Sequence, residues 1–171
     1  MELEHFILTE NAWVPNNERL PVIIYREAVP GRGVAAAKRF EKMFEKNGWP
    51  SDWRDGIYDY HHFHSTAHEA LGVFAGSATL MLGGPHGKSI EVKAGDALVL
   101  PVGIGHRSVK ATADFLVVGA YPEGQDWDIC RKAPSAPMRA RMDRLPLPEQ
   151  DPIQGKGGPL DRLWSLNPRL D

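Results

Sequence analysis

Hydrophobic and polar positions alternate in short runs over most of the chain before residue 121, which is the pattern of extended strands. Residues 3–8 and 21–28 are predicted strands, and the second is rich in β-branched side chains that favour the extended backbone. Between them, Pro15, Asn16 and Asn17 predict a turn. The beginning of the chain is therefore expected to form two strands joined by a reversal.

One segment in the first half has a helical pattern instead. Between residues 35 and 46, the apolar residues Phe40, Met43 and Phe44 recur at the i, i+3 and i+4 positions of a helix. Gly48 follows as a plausible C-terminal stop. The spacing predicts one amphipathic helix whose apolar stripe packs against a sheet.

From residue 55 onward one predicted strand follows another. The segments between them are short and rich in glycine, as in Gly76-Ser77 and Ala94-Gly95-Asp96. Many short strands with regular turn signals are typical of an antiparallel sandwich or barrel. The predicted strands span residues 56–64, 67–75, 78–83, 89–93, 97–100, 106–111 and 114–121.

The alternation ends after residue 121. Eight of the 14 prolines lie in this last part, and only residues 136–144 have the pattern of a short helix. Trp127 and Trp164 argue against simple disorder, so we expect the tail to wrap across the barrel or a partner subunit. The 171 residues suit a single domain, 1–171, made of N-terminal strands and helix (1–54), a barrel (55–121) and an irregular tail (122–171).

Composition narrows the class of protein. The chain is 42% hydrophobic and 25% charged, with a net charge of −2, which describes an ordinary soluble globular protein and gives no electrostatic case for nucleic acid or an anionic membrane. No segment approaches the roughly 20 apolar residues of a membrane helix. Acids near the N-terminus are unlike a signal peptide, and the lone Cys130 cannot form an intramolecular disulfide, so we expect a cytoplasmic protein.

Candidate chemistry lies in two histidine-bearing segments with fixed glycine positions. The first frame consists, in order, of Gly56, His62, His64, Glu69 and Gly76. The second consists, in order, of Gly95, Pro101, Gly103 and His106. A lone His-x-His on a strand is more often surface or core histidine than a ligand pair. Both frames together, however, arise by chance roughly once in ten million sequences, given average glycine and proline usage.

The spacing can bring these residues to one place. Side chains alternate along a strand, so His62 and His64 project to the same face. Glu69 opens the next predicted strand and can return toward them, and a closed barrel can bring His106 across from a later strand. Three imidazoles and a carboxylate suit iron(II), manganese, zinc, nickel or copper, and do not suit calcium or magnesium.

The two frames resemble the paired signature motifs of the cupin superfamily. The first motif is matched in full from Gly56 to Gly76. The second is matched as far as His106, and Lys110 stands where the family has an asparagine that is not a metal ligand. Residues 113–122 and the Pro-rich tail also resemble a group of small, uncharacterised bacterial single-domain cupins.

The resemblance implies an all-β fold, a single jelly-roll β-barrel of six to eight strands with one helix in the N-terminal half and a Pro-rich C-terminal tail. It also implies one divalent transition metal (iron, manganese, zinc or nickel) in the barrel mouth, held by His62, His64, Glu69 and His106. His68 adjoins Glu69 and is the alternative ligand, although alternation places it on the other face. A homodimer is implied too, with strands 3–8 or 21–28 and the tail as candidate interfaces.

Residues that share the faces of these ligands are candidates for the wall of a pocket. Such a pocket, apolar with a few polar groups, would suit a small organic ligand. The two tyrosines among them can donate a proton or orient a substrate, or can be aromatic core. The candidates for catalysis are Tyr58 and Tyr60, and those for substrate contact are Leu71, Val73 and Lys110.

The resemblance favours a metal-dependent enzyme that acts on a small organic molecule. Four protein ligands leave two positions on a six-coordinate metal, which with iron(II) suits oxygenase chemistry, the class we favour. Manganese, zinc or nickel would instead support isomerase, lyase or hydrolytic chemistry. The alternative is a non-enzymatic cupin that binds a metal or small ligand; a transcriptional regulator would need a helix-turn-helix segment that the sequence does not predict.

Overall fold

The fold is described from a computed structural model of the chain, for residues 1–165. Within these residues the chain forms nine strands and three helices. The strands are β1 (Glu2–Leu8), β2 (Asn17–Arg26), β3 (Ser51–Asp55), β4 (Glu69–Ala75), β5 (Ser77–Leu82), β6 (Lys88–Lys93), β7 (Ala97–Leu100), β8 (His106–Ala111) and β9 (Leu116–Ala120). The helices are α1 (Val34–Lys46), α2 (Ala136–Asp143) and α3 (Pro159–Leu163).

The strands form two antiparallel sheets. The large sheet has six strands in the order β1-β2-β7-β4-β9-β3, and the small sheet has three in the order β6-β5-β8. Strands distant in sequence are neighbours in both sheets, as in a jelly roll. The predicted all-β jelly roll is confirmed, with more strands than the six to eight implied, because β1 and β3 extend the two edges of the large sheet.

The space between the sheets holds the first apolar core. Leu71 and Val73 of β4 enter it from the large sheet, and Leu80 and Leu82 of β5 enter it from the small sheet. None of these four side chains is more than 1% exposed. Burial of this aliphatic surface holds the two sheets face to face.

The outer face of the large sheet is covered by α1, which confirms the predicted helix. Ala70 and Phe74, the alternate residues of β4, pack in a second core with Phe40 and Phe44 of α1. Gly72 lies directly under the helix, and a β-carbon there would come within 2.5 Å of the Phe40 ring. Strand β4 is therefore buried on both faces, which explains its nearly continuous apolar sequence.

The tail after β9 packs back onto this same side of the large sheet. The indole Nε1 of Trp164 donates to the Pro21 carbonyl at 3.0 Å. Asp151 is completely buried and accepts a hydrogen bond from the Tyr25 hydroxyl at 2.5 Å. The predicted short helix is present as α2, where the Ser135 side chain caps the first turn. No helix within residues 1–165 is both long enough and apolar enough to cross a membrane.

The predicted strand at 56–64 is wrong. The strand in this region is β3, which ends at Asp55 and pairs with β9. The residues after it pair with two different partners in turn, through isolated bridges from His62 to His106 and from Phe63 to Cys130. Their backbone hydrogen bonds to residues 103–108, at Tyr58, His62 and His64, are irregularly spaced, so these residues form a loop that crosses the barrel mouth and carries the histidines.

Candidate metal centre

Three histidine rings meet at the barrel mouth. His62 and His64 lie in the loop after β3, and His106 is the first residue of β8. One ring nitrogen from each lies within 4.8 Å of the other two, and all three residues are buried. The bridge between His62 and His106 exchanges two backbone hydrogen bonds, of 3.2 and 2.9 Å, and sets their rings 4.1 Å apart between centroids.

Each ring is oriented by a backbone carbonyl that meets its Nδ1 atom. The Nδ1 of His62 lies 3.0 Å from the Tyr60 carbonyl, and the Nδ1 of His106 lies 3.0 Å from the Ile104 carbonyl. The Nδ1 of His64 meets the carbonyl of Asp128. A carbonyl only accepts, so these contacts assign the proton to Nδ1 and leave the Nε2 lone pair available on each neutral ring.

Glu69 brings a carboxylate to the same place. It is the first residue of β4 and only 2% exposed. Its Oε2 lies 3.1 Å from Nε2 of His64, and its Oε1 lies 3.2 Å from Nε2 of His106. Among residues 1–165, Oε1 has no hydrogen-bond partner although it is buried. Because lone pairs of imidazole and carboxylate face each other without enough protons between them, the donor set fits a bound cation such as a divalent transition metal.

The electrostatics of the cluster also favour a cation beside Glu69. Burial, together with nearby His106, lowers the pKa of His62 to about 3. Burial alone would raise the pKa of Glu69, but His64 and His106 outweigh it and hold that pKa well below its usual value. Burial opposes charge on His64 as well, yet Glu69 raises its pKa. An ionised Glu69 therefore remains at the centre, and a cation there is favoured.

Tyr121, immediately after β9, completes the surroundings of Glu69. Its hydroxyl donates to Oε2 of Glu69 at 2.6 Å and accepts from Nε1 of Trp53 at 2.9 Å. Burial, and then the charge of Glu69, raise the pKa of Tyr121 above its ordinary value, so the hydroxyl keeps its proton. Sequence analysis missed this residue because no motif spacing connects it to Glu69, 52 residues earlier.

The tail supplies a second contact that the sequence did not indicate. Besides orienting His64 through its carbonyl, Asp128 accepts hydrogen bonds at its carboxylate from the Ser65 backbone N–H, at 2.7 Å, and from the Ser65 hydroxyl. Burial by itself would raise the pKa of Asp128. The hydrogen bonds from Ser65 outweigh this effect and lower the pKa below its ordinary value, so the carboxylate stays ionised. These contacts fix the loop that carries His62 and His64 to the tail.

A cavity of about 370 Å³ opens directly above the cluster. Leu71 lies in its wall as predicted, and Tyr58 lines it with half of its surface exposed. Trp53, Tyr121 and Trp127 add aromatic surface to the wall. The complete lining is Asp52, Trp53, Asp55, Gly56, Ile57, Tyr58, His62, His64, Glu69, Leu71, His106, Tyr121, Trp127 and Ile129.

Three candidates do not lie at the cavity. Tyr60 stacks on Tyr58 outside the lining, because the loop does not keep the strict alternation of a strand. Val73 is fully buried between the sheets, two residues further from the mouth than Leu71. Lys110 is exposed, because the register of β8 against β5 shifts just before it and reverses the expected side.

His68 faces away from the cluster. Its Nδ1 accepts a hydrogen bond from the Val102 backbone N–H at 3.0 Å, and its ring packs against Trp164 at 4.9 Å between centroids. Burial lowers its pKa to about 3, so it is a neutral core histidine. Alternation along the chain thus separates His68 from Glu69, which faces His64 and His106.

The jelly roll, with both histidine motifs at its mouth, has the architecture that the resemblance to the cupin superfamily implies. A relative from Bacillus subtilis (strain 168) has the name "Uncharacterized protein YjlB". The two chains are 33% identical over 165 residues, which cover 95% of this chain and 97% of the relative. The chain belongs to the family of that protein. No protein-family model matches the chain.

Two solved structures are more distantly similar. A DUF861 family protein from Thermotoga maritima covers 57% of this chain and 96% of its own, with 20% identity and a TM-score of 0.37. The epimerase RmlC from Legionella pneumophila Philadelphia 1, solved with dTDP-4-keto-L-rhamnose, covers 88% of this chain and 100% of its own, with 14% identity and a TM-score of 0.36.

Proposed function

We propose that this cupin is a metal-dependent enzyme that binds one divalent transition metal through His62, His64, Glu69 and His106, and acts on a small organic molecule in the adjoining cavity. The observation that carries the proposal is the convergence of one ring nitrogen from each of the three histidines, with Glu69 beside the Nε2 atoms of two of them, His64 and His106, and every Nδ1 atom held by a backbone carbonyl. Buried, oriented imidazoles of this kind are typical of metal ligands.

Within this class we favour an oxygenase. Bound iron(II) would supply oxygen activation, whereas manganese, zinc or nickel would supply Lewis acidity for a redox-neutral isomerase or lyase. The protein's own residues serve either chemistry. Tyr121 holds Glu69 in place and keeps a proton at the cavity wall, and Trp53 and Trp127 exclude water from one side of the cavity.

Metal analysis by plasma mass spectrometry tests the proposal. Tag-free protein purified without added metal is compared with the His64→Ala and His106→Ala variants, and with His5→Ala, which removes an exposed histidine of β1. We expect near-stoichiometric iron in the wild type and in His5→Ala, and its loss in the other two variants. Iron would then direct oxygen-uptake assays toward candidate substrates.

Other outcomes separate the alternatives. Stoichiometric zinc, manganese or nickel would overturn the oxygenase and retain a redox-neutral metal enzyme. No metal in the wild type, even after reconstitution, would overturn the metal enzyme and leave a cupin that binds a small ligand without metal. The homodimer and the cytoplasmic location stay predictions, to be checked by light scattering and by cell fractionation.

A further inference from the structure

We propose that the cavity selects a cationic organic molecule, an amine with an aromatic or apolar body, over neutral and anionic molecules of the same size. This inference rests on the proposed function, because it takes the cavity above the histidine cluster as the substrate site. It goes further by assigning a charge and a shape to the substrate. Three features of the wall support it: its fixed charges, its hydrogen-bonding groups and its aromatic surfaces.

The fixed charges of the wall are negative. Asp52 and Asp55 lie at its exposed rim and Glu69 at its floor. Among residues 1–165, no lysine or arginine lines the cavity. Together the three carboxylates carry three negative charges, and a divalent ion would neutralise two of them. A cleft whose walls carry one sign of charge raises the local concentration of ligands with the opposite sign.

The neighbouring arginine side chains interact with groups outside the cavity. Arg54, between Trp53 and Asp55 on β3, forms two hydrogen bonds of 2.8 and 2.6 Å with Glu41 of α1. Arg131 lies 3.8 Å over the ring of Tyr60, which is outside the lining. Neither guanidinium is placed to bind a carboxylate or phosphate inside the cavity.

The polar hydrogens of three rings in the wall are already used within the protein. Nε1 of Trp53 donates to the Tyr121 hydroxyl at 2.9 Å, and that hydroxyl donates to Glu69 at 2.6 Å. Nε1 of Trp127 donates to Asp52 at 2.7 Å. An anionic ligand therefore finds no free donor on these three rings, whereas an ammonium group finds carboxylate oxygens that accept.

The same three rings suit the body of a cationic ligand. Tyr121 and Trp127 stack with centroids 6.2 Å apart and an interplanar angle of 25°. Together with Trp53 they form an aromatic wall below the two rim carboxylates. Tryptophan attracts cations most strongly among the aromatic residues, and the attraction grows when water is excluded.

Calorimetric titration with three matched probes tests this inference. Phenethylammonium, phenethyl alcohol and phenylacetate share one aromatic body and differ in charge. We expect the ammonium probe to bind the metal-loaded protein about tenfold more tightly than the alcohol, and phenylacetate to bind weakest. The Asp52→Asn and Asp55→Asn variants keep an acceptor oxygen but lose the charge, and should each weaken the ammonium probe about threefold to tenfold without affecting the alcohol.

Asp59→Asn is the matched control, because Asp59 is exposed in the loop after β3 and does not line the cavity. It should leave all three affinities unchanged. Equal binding of the three probes, tighter binding of phenylacetate, no binding of the ammonium probe at about 10 mM, or an equal loss in Asp59→Asn would each overturn the inference. Metal content is measured on the same samples, so that the two proposals can be judged separately. If the ammonium probe is preferred but the protein holds no metal, the charge selectivity stands and the metal-dependent enzyme is overturned. If the protein holds stoichiometric metal but shows no preference among the probes, the proposed function stands and the charge selectivity is overturned.

Discussion

The Tyr121 hydroxyl lies in the cavity wall and donates a hydrogen bond to Oε2 of Glu69. Removing it in Tyr121→Phe should weaken metal binding, because the carboxylate loses the contact that orients it beside His64. Loss of such a contact around a metal ligand typically costs about tenfold to 100-fold in affinity. Competition against a chromophoric chelator measures the dissociation constant.

The control for this prediction is Tyr60→Phe. Tyr60 lies outside the cavity lining, so removal of its hydroxyl should leave metal affinity at the wild-type value. Equal affinities in Tyr121→Phe and the wild type would show that Glu69 does not depend on this hydrogen bond, or does not bind the metal.

Cys130 should be a poor nucleophile at neutral pH. Burial, and then the neighbouring Asp128 carboxylate, raise the pKa of its thiol to about 11. Only the thiolate reacts with iodoacetamide, so alkylation should be slow at neutral pH and accelerate by about tenfold per pH unit until it levels off near that pKa. Mass spectrometry of timed samples from pH 7 to 10 gives the rates.

Protein unfolded in guanidinium chloride provides the comparison for Cys130, because it has lost the burial and the contact with Asp128. Its thiol should titrate near the ordinary cysteine value of about 8.5. Fast alkylation of the folded protein at neutral pH would contradict the structure and make Cys130 a candidate nucleophile.

At the scale of elements, the contact between β4 and α1 depends on the absence of a side chain at Gly72. A β-carbon there would lie 2.5 Å from the Phe40 ring, inside the core under the helix. Gly72→Ala should therefore lower the free energy of unfolding by about 1–3 kcal/mol, as overpacking does in other cores. Urea titration followed by circular dichroism measures it.

Gly56→Ala is the matched substitution for Gly72→Ala. A β-carbon at Gly56 would meet nothing within 4 Å, and its φ lies outside the left-handed region. We expect an unfolding free energy close to that of the wild type. If both variants were equally stable, α1 would have room to move away from the sheet.

Most elements of the two sheets could be predicted because their own residues carry the pattern. The apolar run in 67–75 corresponds to β4, and the stripe around Phe40 corresponds to α1. Strand β3 could not be found this way, because Trp53 is its only apolar residue. It is a strand because it pairs with β9, as Arg54 does with Val118, and such pairing is not visible in the local sequence.

In the candidate site, too, residues within a sequence motif could be predicted, and residues brought close only by folding could not. The three clustered histidines could be singled out by spacing, since each lies in a frame of glycines. Tyr121 and Trp127 in the cavity wall, and Asp128 beside His64, could not be found this way, because they follow the last strand and reach the cluster only through tertiary contacts. Alternation along β8 predicts that Lys110 faces the cavity. It does not, because the register of β8 against β5 shifts just before Lys110.

At the scale of the whole molecule, Asp151 fastens the tail to the large sheet. Its carboxylate accepts from the Tyr25 hydroxyl on β2 at 2.5 Å and from the backbone N–H groups of Ile153, Gln154 and Leu160 at 2.7–2.9 Å. Asp151→Ala leaves these buried donors without an acceptor and should lower the free energy of unfolding by about 3 kcal/mol. Urea titration measures the loss, and hydrogen exchange shows whether the tail opens first.

Glu149→Ala serves as the comparison for Asp151→Ala, because Glu149 is an exposed acid in the same segment. Its stability should match that of the wild type. Slow exchange of the tail in Asp151→Ala, with no loss of stability, would mean that the apolar contacts of Ile153 and Trp164 hold the tail without it.

The carbonyl that orients His64 belongs to Asp128, 64 residues further along the chain. During synthesis on the ribosome, His62 and His64 leave the exit tunnel before Tyr121 and Asp128 have been translated. A nascent chain therefore exposes this histidine pair without the carbonyl that selects the tautomer of His64 and without the residues of the tail that enclose it. The proposed metal site is therefore complete only after Asp128 has been translated and has folded back onto the loop that carries His64.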